Sequence, residues 1–222
     1  MAAAYSGRGL HGQTVEAMAA MIFGGEFRAG DSLDVTALRE RLGVSSTALR
    51  EAIKVLTAKG LIGARPKLGT YVRPRADWNL LDGDVIRWKS AGRPDPGFLR
   101  DLHELRSIVE PPVARLAALR RTPEQLDTLE RALDAMASSA DPVAADLDFH
   151  RALLAAGGNE LLIRMEAVIG RDGLAHGSGD DPVPGHLAVL TAIRLADGQA
   201  AESAMRELLD KAWRDAVRRR FQ

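Results

Sequence analysis

The sequence predicts a mostly α-helical chain in two unequal parts, a small helical head ending in a two-strand hairpin and a larger antiparallel bundle of helices. Three observations predict it. Apolar residues recur at helical spacing through most of the 222 residues. Short strand patterns bounded by glycine and proline cluster at 61–73. Charge is divided, with eleven Lys and Arg against six Asp and Glu in 1–75 and nineteen against twenty-four in 76–222, although the whole sums to zero.

In the head, Val15, Met18 and Ile22 recur at helical spacing from Gln13 until Gly24-Gly25 stops them. A short extended piece, Phe27 to Leu33, follows. Leu38 and Leu42 define a second helix with Asp34 as N-cap and Gly43 as terminator. A third helix starts at Ser45 or Ser46, turns Leu49, Ile53 and Leu56 inward, and shows Thr47, Arg50 and Lys54 on its other face. Leu61–Arg65 and Thr70–Arg73 read as strands joined through Pro66, Lys67, Leu68 and Gly69, a hairpin with a basic tip. Two helices, a short turn, a third helix and a hairpin match a winged helix-turn-helix. Its third helix can offer small hydroxyls, arginine and backbone amides to a major groove. An exposed cationic helix face is ordinary by itself; the hairpin and the basic balance decide for DNA.

Expected boundaries are 1–75 for the DNA-binding part, 76–95 for a linker with a short helix, and 96–222 for the bundle. The segment from Trp78 to Trp88 is too apolar for a free linker and is expected to pack on one of the domains. Beyond Phe98 the stripes Leu102-Leu105-Val109-Val113-Leu116, Leu126-Leu129-Leu133-Met136 and Leu161-Met165-Val168 predict about six or seven helices. Pro111-Pro112 should kink or divide the first of these. Loops are marked at Thr122-Pro123, Asp141-Pro142, Gly157-Gly158-Asn159 and 177–185. Cysteine is absent, which excludes a disulfide framework and thiolate metal ligation. No signal-peptide pattern and no apolar run near the roughly 20 residues of a membrane span is present, so a cytoplasmic location is expected.

The segments V-S-S-T-A-L-R-E-A-I, L-x-x-x-G-L-I and G-T-Y-V resemble the winged helix of GntR-type bacterial regulators. Glu104-Leu105-Arg106-Ser107-Ile108-Val109-Glu110-Pro111, Asp146-Leu147-Asp148-Phe149-His150 and Gly158-Asn159 are similar to the effector-binding (FCD) domain of the FadR subfamily. The connecting W-N-L-L-D-G-D-V-I-R-W resembles that of sugar-acid-responsive members. The resemblance implies a homodimeric repressor of galactonate-like sugar-acid catabolism genes, released from a pseudo-palindromic operator when the acid binds. It implies DNA contacts at Thr36, Ser45, Ser46, Thr47, Arg50, Arg65, Lys67, Gly69 and Thr70. Ser46 departs from the pattern, since relatives commonly carry arginine there; that shifts contacts onto Arg50 and the basic wing.

Asp146 and His150, four apart on a predicted helix, lie on one face. By spacing alone the commoner reading is a solvated pair. With the resemblance, and with His186 opening a later helix, they become a carboxylate and two imidazoles acceptable to zinc, nickel or manganese. Many relatives place a third histidine where this chain has Leu208. Two readings stay open: an open metal site completed by water or ligand oxygens, or a metal-free pocket hydrogen-bonding a polyhydroxy acid directly. Arg106 is the expected carboxylate partner, its alternative being an ion pair with Glu110. His176 either lines the pocket mouth or is a solvated loop residue, and His103 is expected to face solvent or the partner subunit. Asn159 is expected to cap or turn the chain.

Three functions compete. A ligand-responsive regulator, of sugar acids or of another small carboxylate, uses every feature. A metal-dependent hydrolase lacks a separate general base or nucleophile. A constitutive architectural DNA binder has no use for an acidic domain with inward polar residues.

Overall fold

The computed structural model describes residues 10–66, 69–91, 96–138, 141–166 and 181–220. It is mostly helical with one two-stranded sheet, and the chain divides into two compact units between residues 94 and 95.

The first unit begins with α1 (Leu10–Phe23), one turn earlier than the apolar pattern indicates. Val15, Met18, Ala19 and Ile22 are buried along it. Helix α2 (Val35–Leu42) is fixed at both ends by its own sequence. Asp34 accepts from the amides of Thr36 and Ala37, and Gly43 closes the helix in the left-handed region. Helix α3 (Ser46–Ala58) is capped by Ser45, whose side chain accepts from the Ala48 amide. Leu49, Ala52 and Leu56 are buried, Ile53 is half-buried, and α1 packs across this face. Burying each such leucine contributes about 1.5–3 kcal/mol. Strands β1 (Ile62–Arg65) and β2 (Gly69–Val72) pair antiparallel, Ile62 opposite Val72 and Arg65 opposite Gly69. The stretch 30–33 lies along β2, with a bridge between Ser32 and Tyr71 and the Leu33 amide donating to the Thr70 carbonyl.

The segment after the wing is part of this unit. A 3-10 turn (Arg75–Asp77) leads to α4 (Gly83–Ala91), whose Val85 and Trp88 belong to the same buried cluster as α1 and α3. Trp78 lies edge-on to Phe23 and donates its indole N–H to the Arg73 carbonyl. Lys59 bonds the carboxylates of Asp82 and Asp84 at 2.8 Å each. Glu16 accepts from Arg87 and from the Trp88 indole. Gly60 is obligatory here: its φ is +77°, and a Cβ would stand 2.3 Å from the Asp77 carbonyl oxygen.

The second unit holds α5 (Pro96–Arg120), α6 (Pro123–Ser138), α7 (Pro142–Ala156), α8 (Glu160–Arg164), α9 (Val183–Arg194) and α10 (Gly198–Arg220). Helix α5 lies along α10 and against α7. Phe149, Leu153, Leu154, Leu129, Leu190 and Ile193 fill the core. Pro111 and Pro112 do not divide α5, which runs through both. Two missing amide donors weaken one turn, but a 25-residue helix packed on two neighbours keeps the rest of its ladder. Leu161 is also unlike its expectation, since its side chain on α8 is 78% exposed; Met165 is half-buried, and Val168 lies outside the described residues. His103 is half-buried and stacks on Trp213 of α10 with ring centroids 4.8 Å apart. Asn159 caps α8 by accepting from Leu161 and Leu162. No helix among the described residues is long and apolar enough to cross a membrane.

Candidate functional site

In the first unit, Ser45, Ser46, Thr47 and Arg50 are all exposed at the N-terminal end of α3. The Ser45 oxygen is used as cap acceptor, which leaves its O–H to donate. Thr36 is exposed in the first turn of α2. On the wing, Arg65 lies over the Tyr71 ring at 4.6 Å, Gly69 turns the chain with φ +73°, and Thr70 is half-buried. Lys67 lies outside the described residues. The sequence reading missed Arg39, which reaches from the last turn of α2 to the Ser46 hydroxyl at 3.5 Å. Seven residues separate the pair and no helical period links them, so only the tertiary packing of α2 on α3 reveals it. Replacing Arg50 by alanine should weaken operator binding and reduce the slope of log affinity against log salt by about 1, with ligand-induced thermal stabilisation intact. Unchanged binding in a salt titration would remove Arg50 from the interface.

In the second unit, five polar side chains are buried together. Asp146 and His150 come from one face of α7, His186 from the first turns of α9, and Arg106 and Glu110 from one face of α5. The Nε2 of His186 is 3.1 Å from Asp146 Oδ1 and 3.4 Å from His150 Nε2, and the third edge, His150 Nε2 to Asp146 Oδ1, is 3.9 Å. Both imidazoles are oriented from behind. His150 Nδ1 is 2.7 Å from Glu110 Oε2, and His186 Nδ1 is 2.8 Å from the Pro182 carbonyl oxygen. Arg106 can only donate, so His150 Nε2, 3.0 Å from its Nη2, is an acceptor and the proton of that ring is on Nδ1 beside Glu110; His186 turns Nδ1 to the Pro182 carbonyl and Nε2 to the shared point. Phe149 stands edge-on to His186 at 4.9 Å and closes one side with hydrocarbon.

Burial pushes Glu110 up, yet the Arg106 guanidinium and His150 outweigh it and hold its carboxyl down to about 2. Burial pulls His150 down, and the Glu110 carboxylate more than offsets this, raising it above its ordinary value. The sequence weighed Arg106 as anion partner or as ion pair with Glu110. The structure has the pair, Nε to Oε1 at 2.5 Å, and also directs Nη2 at His150 Nε2 at 3.0 Å. Glu110 is the second residue the sequence reading underrated. His176 lies outside the described residues.

The donor set fits a divalent ion. Ligands of a tetrahedral ion with bonds of 2.0–2.1 Å stand about 3.3 Å apart, and the three edges of the triangle bracket that value. Backing of each imidazole by a carboxylate or carbonyl is the usual arrangement of metal-binding histidines. Leu208, 6% exposed on α10, comes close to α9 just before His186, since a Cβ on Gly185 would meet its Cδ1 at 2.7 Å.

A winged helix followed by a helical domain with a buried polar site defines an effector-responsive DNA-binding regulator. The model for bacterial regulatory proteins of the gntR family matches residues 10–72, and that for the FCD domain matches residues 101–211. The chain belongs to the GntR family of transcriptional regulators, in the branch with an FCD effector domain. It is similar to the galactonate operon transcriptional repressor of Escherichia coli K12, 35% identical over 194 residues covering 81% of this chain and 85% of that protein. It is also similar to the transcriptional repressor NanR of Escherichia coli, 28% identical over 88% of this chain and 80% of that one. The solved structure of Lar, which controls the agr system of Listeria monocytogenes, shares the fold with a TM-score of 0.68 at 16% identity, covering 95% of this chain and 98% of that one. Members of this family bind operator DNA and take a small effector in the FCD domain, and they are not enzymes, which disposes of the hydrolase reading.

Proposed function

We propose that the chain is a homodimeric repressor of sugar-acid catabolism genes, released from its operator by a galactonate-like acid bound in the second unit. The observation that carries this reading is the buried group of Asp146, His150, His186 and Arg106, two imidazoles and a carboxylate beside a guanidinium. A polyhydroxy acid offers a carboxylate for the arginine fork and hydroxyls for an ion or imidazole. The similarity to the galactonate operon repressor supports the same class of ligand.

Asp146, His150 and His186 would hold one zinc, nickel or manganese ion; when bound, such an ion supplies an anchor for carboxylate and hydroxyl oxygens. The proposed operator contacts are Thr36, Ser45, Ser46, Thr47, Arg50, Arg65, Lys67, Gly69 and Thr70, with Arg39 added. Leu208 favours a second reading, in which the pocket works without a metal and the same side chains bond the acid directly.

Operator release measured across sugar acids and simple carboxylates tests the effector. Galactonate or a close relative should release DNA at the lowest concentration; release only by non-hydroxylated acids would move the ligand to another carboxylate class, and indifference to all would end the effector reading. Elemental analysis of protein purified without chelator separates the two pockets. Leu208→His is expected to raise zinc occupancy by supplying a further imidazole near His186. Occupancy unchanged by that substitution would mean residue 208 does not face the site.

A further inference from the structure

The role of Glu110 is not explained by ligand contacts, because it stands behind His150 and is fully buried. Its carboxylate is shared by two neighbours. Oε1 accepts from Arg106 Nε at 2.5 Å, while Oε2 is 2.7 Å from His150 Nδ1, an ion-pair contact, and accepts from Arg106 Nη2 at 3.5 Å. The ring is closed by Arg106 Nη2, which donates to His150 Nε2 at 3.0 Å. A guanidinium can only donate, so that Nε2 is the acceptor, and the same lone pair forms one corner of the triangle with Asp146 and His186.

An imidazole lone pair in the ring plane serves one partner at a time. We propose that Glu110 is a positioning residue that makes Arg106 compete with a divalent ion for His150 Nε2, so that ion binding turns the guanidinium toward the effector's carboxylate. The inference rests on the metal-assisted effector site proposed above. Arg106 keeps its Nε bond to Glu110 when it gives up Nε2, so the head swings about that bond and does not leave the site. Its Nη2, displaced from the imidazole and placed beside a dication, is turned to the effector's carboxylate. By linkage the acid and the ion then strengthen one another's binding. Leu208 fits this device: with fewer fixed ligands the ion is held weakly enough for the guanidinium to compete.

Zinc dissociation constants measured by chelator competition on the full chain, with Zn2+ as the only added ligand, test the proposal. Arg106→Gln removes the competitor and should tighten zinc roughly tenfold, the worth of one lost hydrogen bond to a charged group. Glu110→Gln weakens the orientation and basicity of His150 and should loosen zinc by about 10–100-fold. Opposite signs from two neighbours are the decisive readout, since a merely structural role would loosen zinc in both. Thermal melts check folding. If Arg106→Gln fails to fold, Arg106→Lys keeps a cation beside Glu110 without the Nη2 donor and should tighten zinc in the same direction. Zinc affinity unchanged or lowered by the Arg106 substitutions, or unchanged in Glu110→Gln, overturns the proposal while leaving the metal site standing. Zinc bound by none of the chains, the native one included, removes the metal reading and this proposal with it.

Discussion

Replacing Arg106 with alanine is expected to give a regulator that holds its operator and no longer lets go when the sugar acid is added. Arg106 is the buried cation nearest the Asp146, His150 and His186 cluster, and it is the group with the planar fork to bind a carboxylate in two places. Losing such a charge-assisted contact costs about 1.5–3 kcal/mol, or ten- to hundredfold in effector concentration. The measurement is operator release titrated with the acid that works best on the native chain, alongside the rise in melting temperature that acid produces. The winged helix is in the other unit, so affinity for DNA without effector should be unchanged. Induction at the native concentration would remove Arg106 from the pocket.

The second large effect lies in the head. Lys59→Ala is expected to destabilise the first unit by about 2–3 kcal/mol, because it removes the ammonium shared by the nearly buried Asp84 and by Asp82. Operator binding should fail at a lower temperature, and a melt identical to that of the native chain would show that the ion cluster contributes nothing. The same cluster gives a pH dependence of known sign. Burial pulls Lys59 down, but hydrogen bonds from its ammonium to Asp82 and Asp84 outweigh this and raise its pKa above 10.5. Its contribution is therefore complete below about 10.4, the unfolded value, and is lost as pH rises through the folded one. The first unit of the native chain should lose stability in that alkaline window, and the Lys59→Ala chain should lose less.

The parts of the fold that were legible in the sequence are those decided within a few residues. Asp34 and Gly43 bound α2, and Ser45 starts α3, because a cap is a local hydrogen bond between a side chain and the next turn. The spacing of Asp146 and His150 put them on one face. What spacing does not carry is which helix faces meet. His103 finds Trp213 more than a hundred residues away, and Arg39 finds Ser46 across a turn. Arg106 and Glu110 show the same limit more sharply. Four residues apart, they read equally well as an exposed ion pair, and only burial against α7 converts them into the supports of His150. Pro111 and Pro112 differ for the opposite reason: their local preference is strong, yet α5, packed along α10 and α7, is not divided by them.

The fastening of α4 to the head has a mechanical meaning. Trp78 on Phe23 and Lys59 on Asp82 fasten the chain just before the helix, and Lys59 on Asp84 and Glu16 on Arg87 and Trp88 fasten the helix itself. Lys59 closes α3 and Glu16 lies on α1, so the contacts that hold α4 are made to the two helices whose packing presents Ser46 and Arg50. Loosening them loosens α4 from the face that supports the recognition helix.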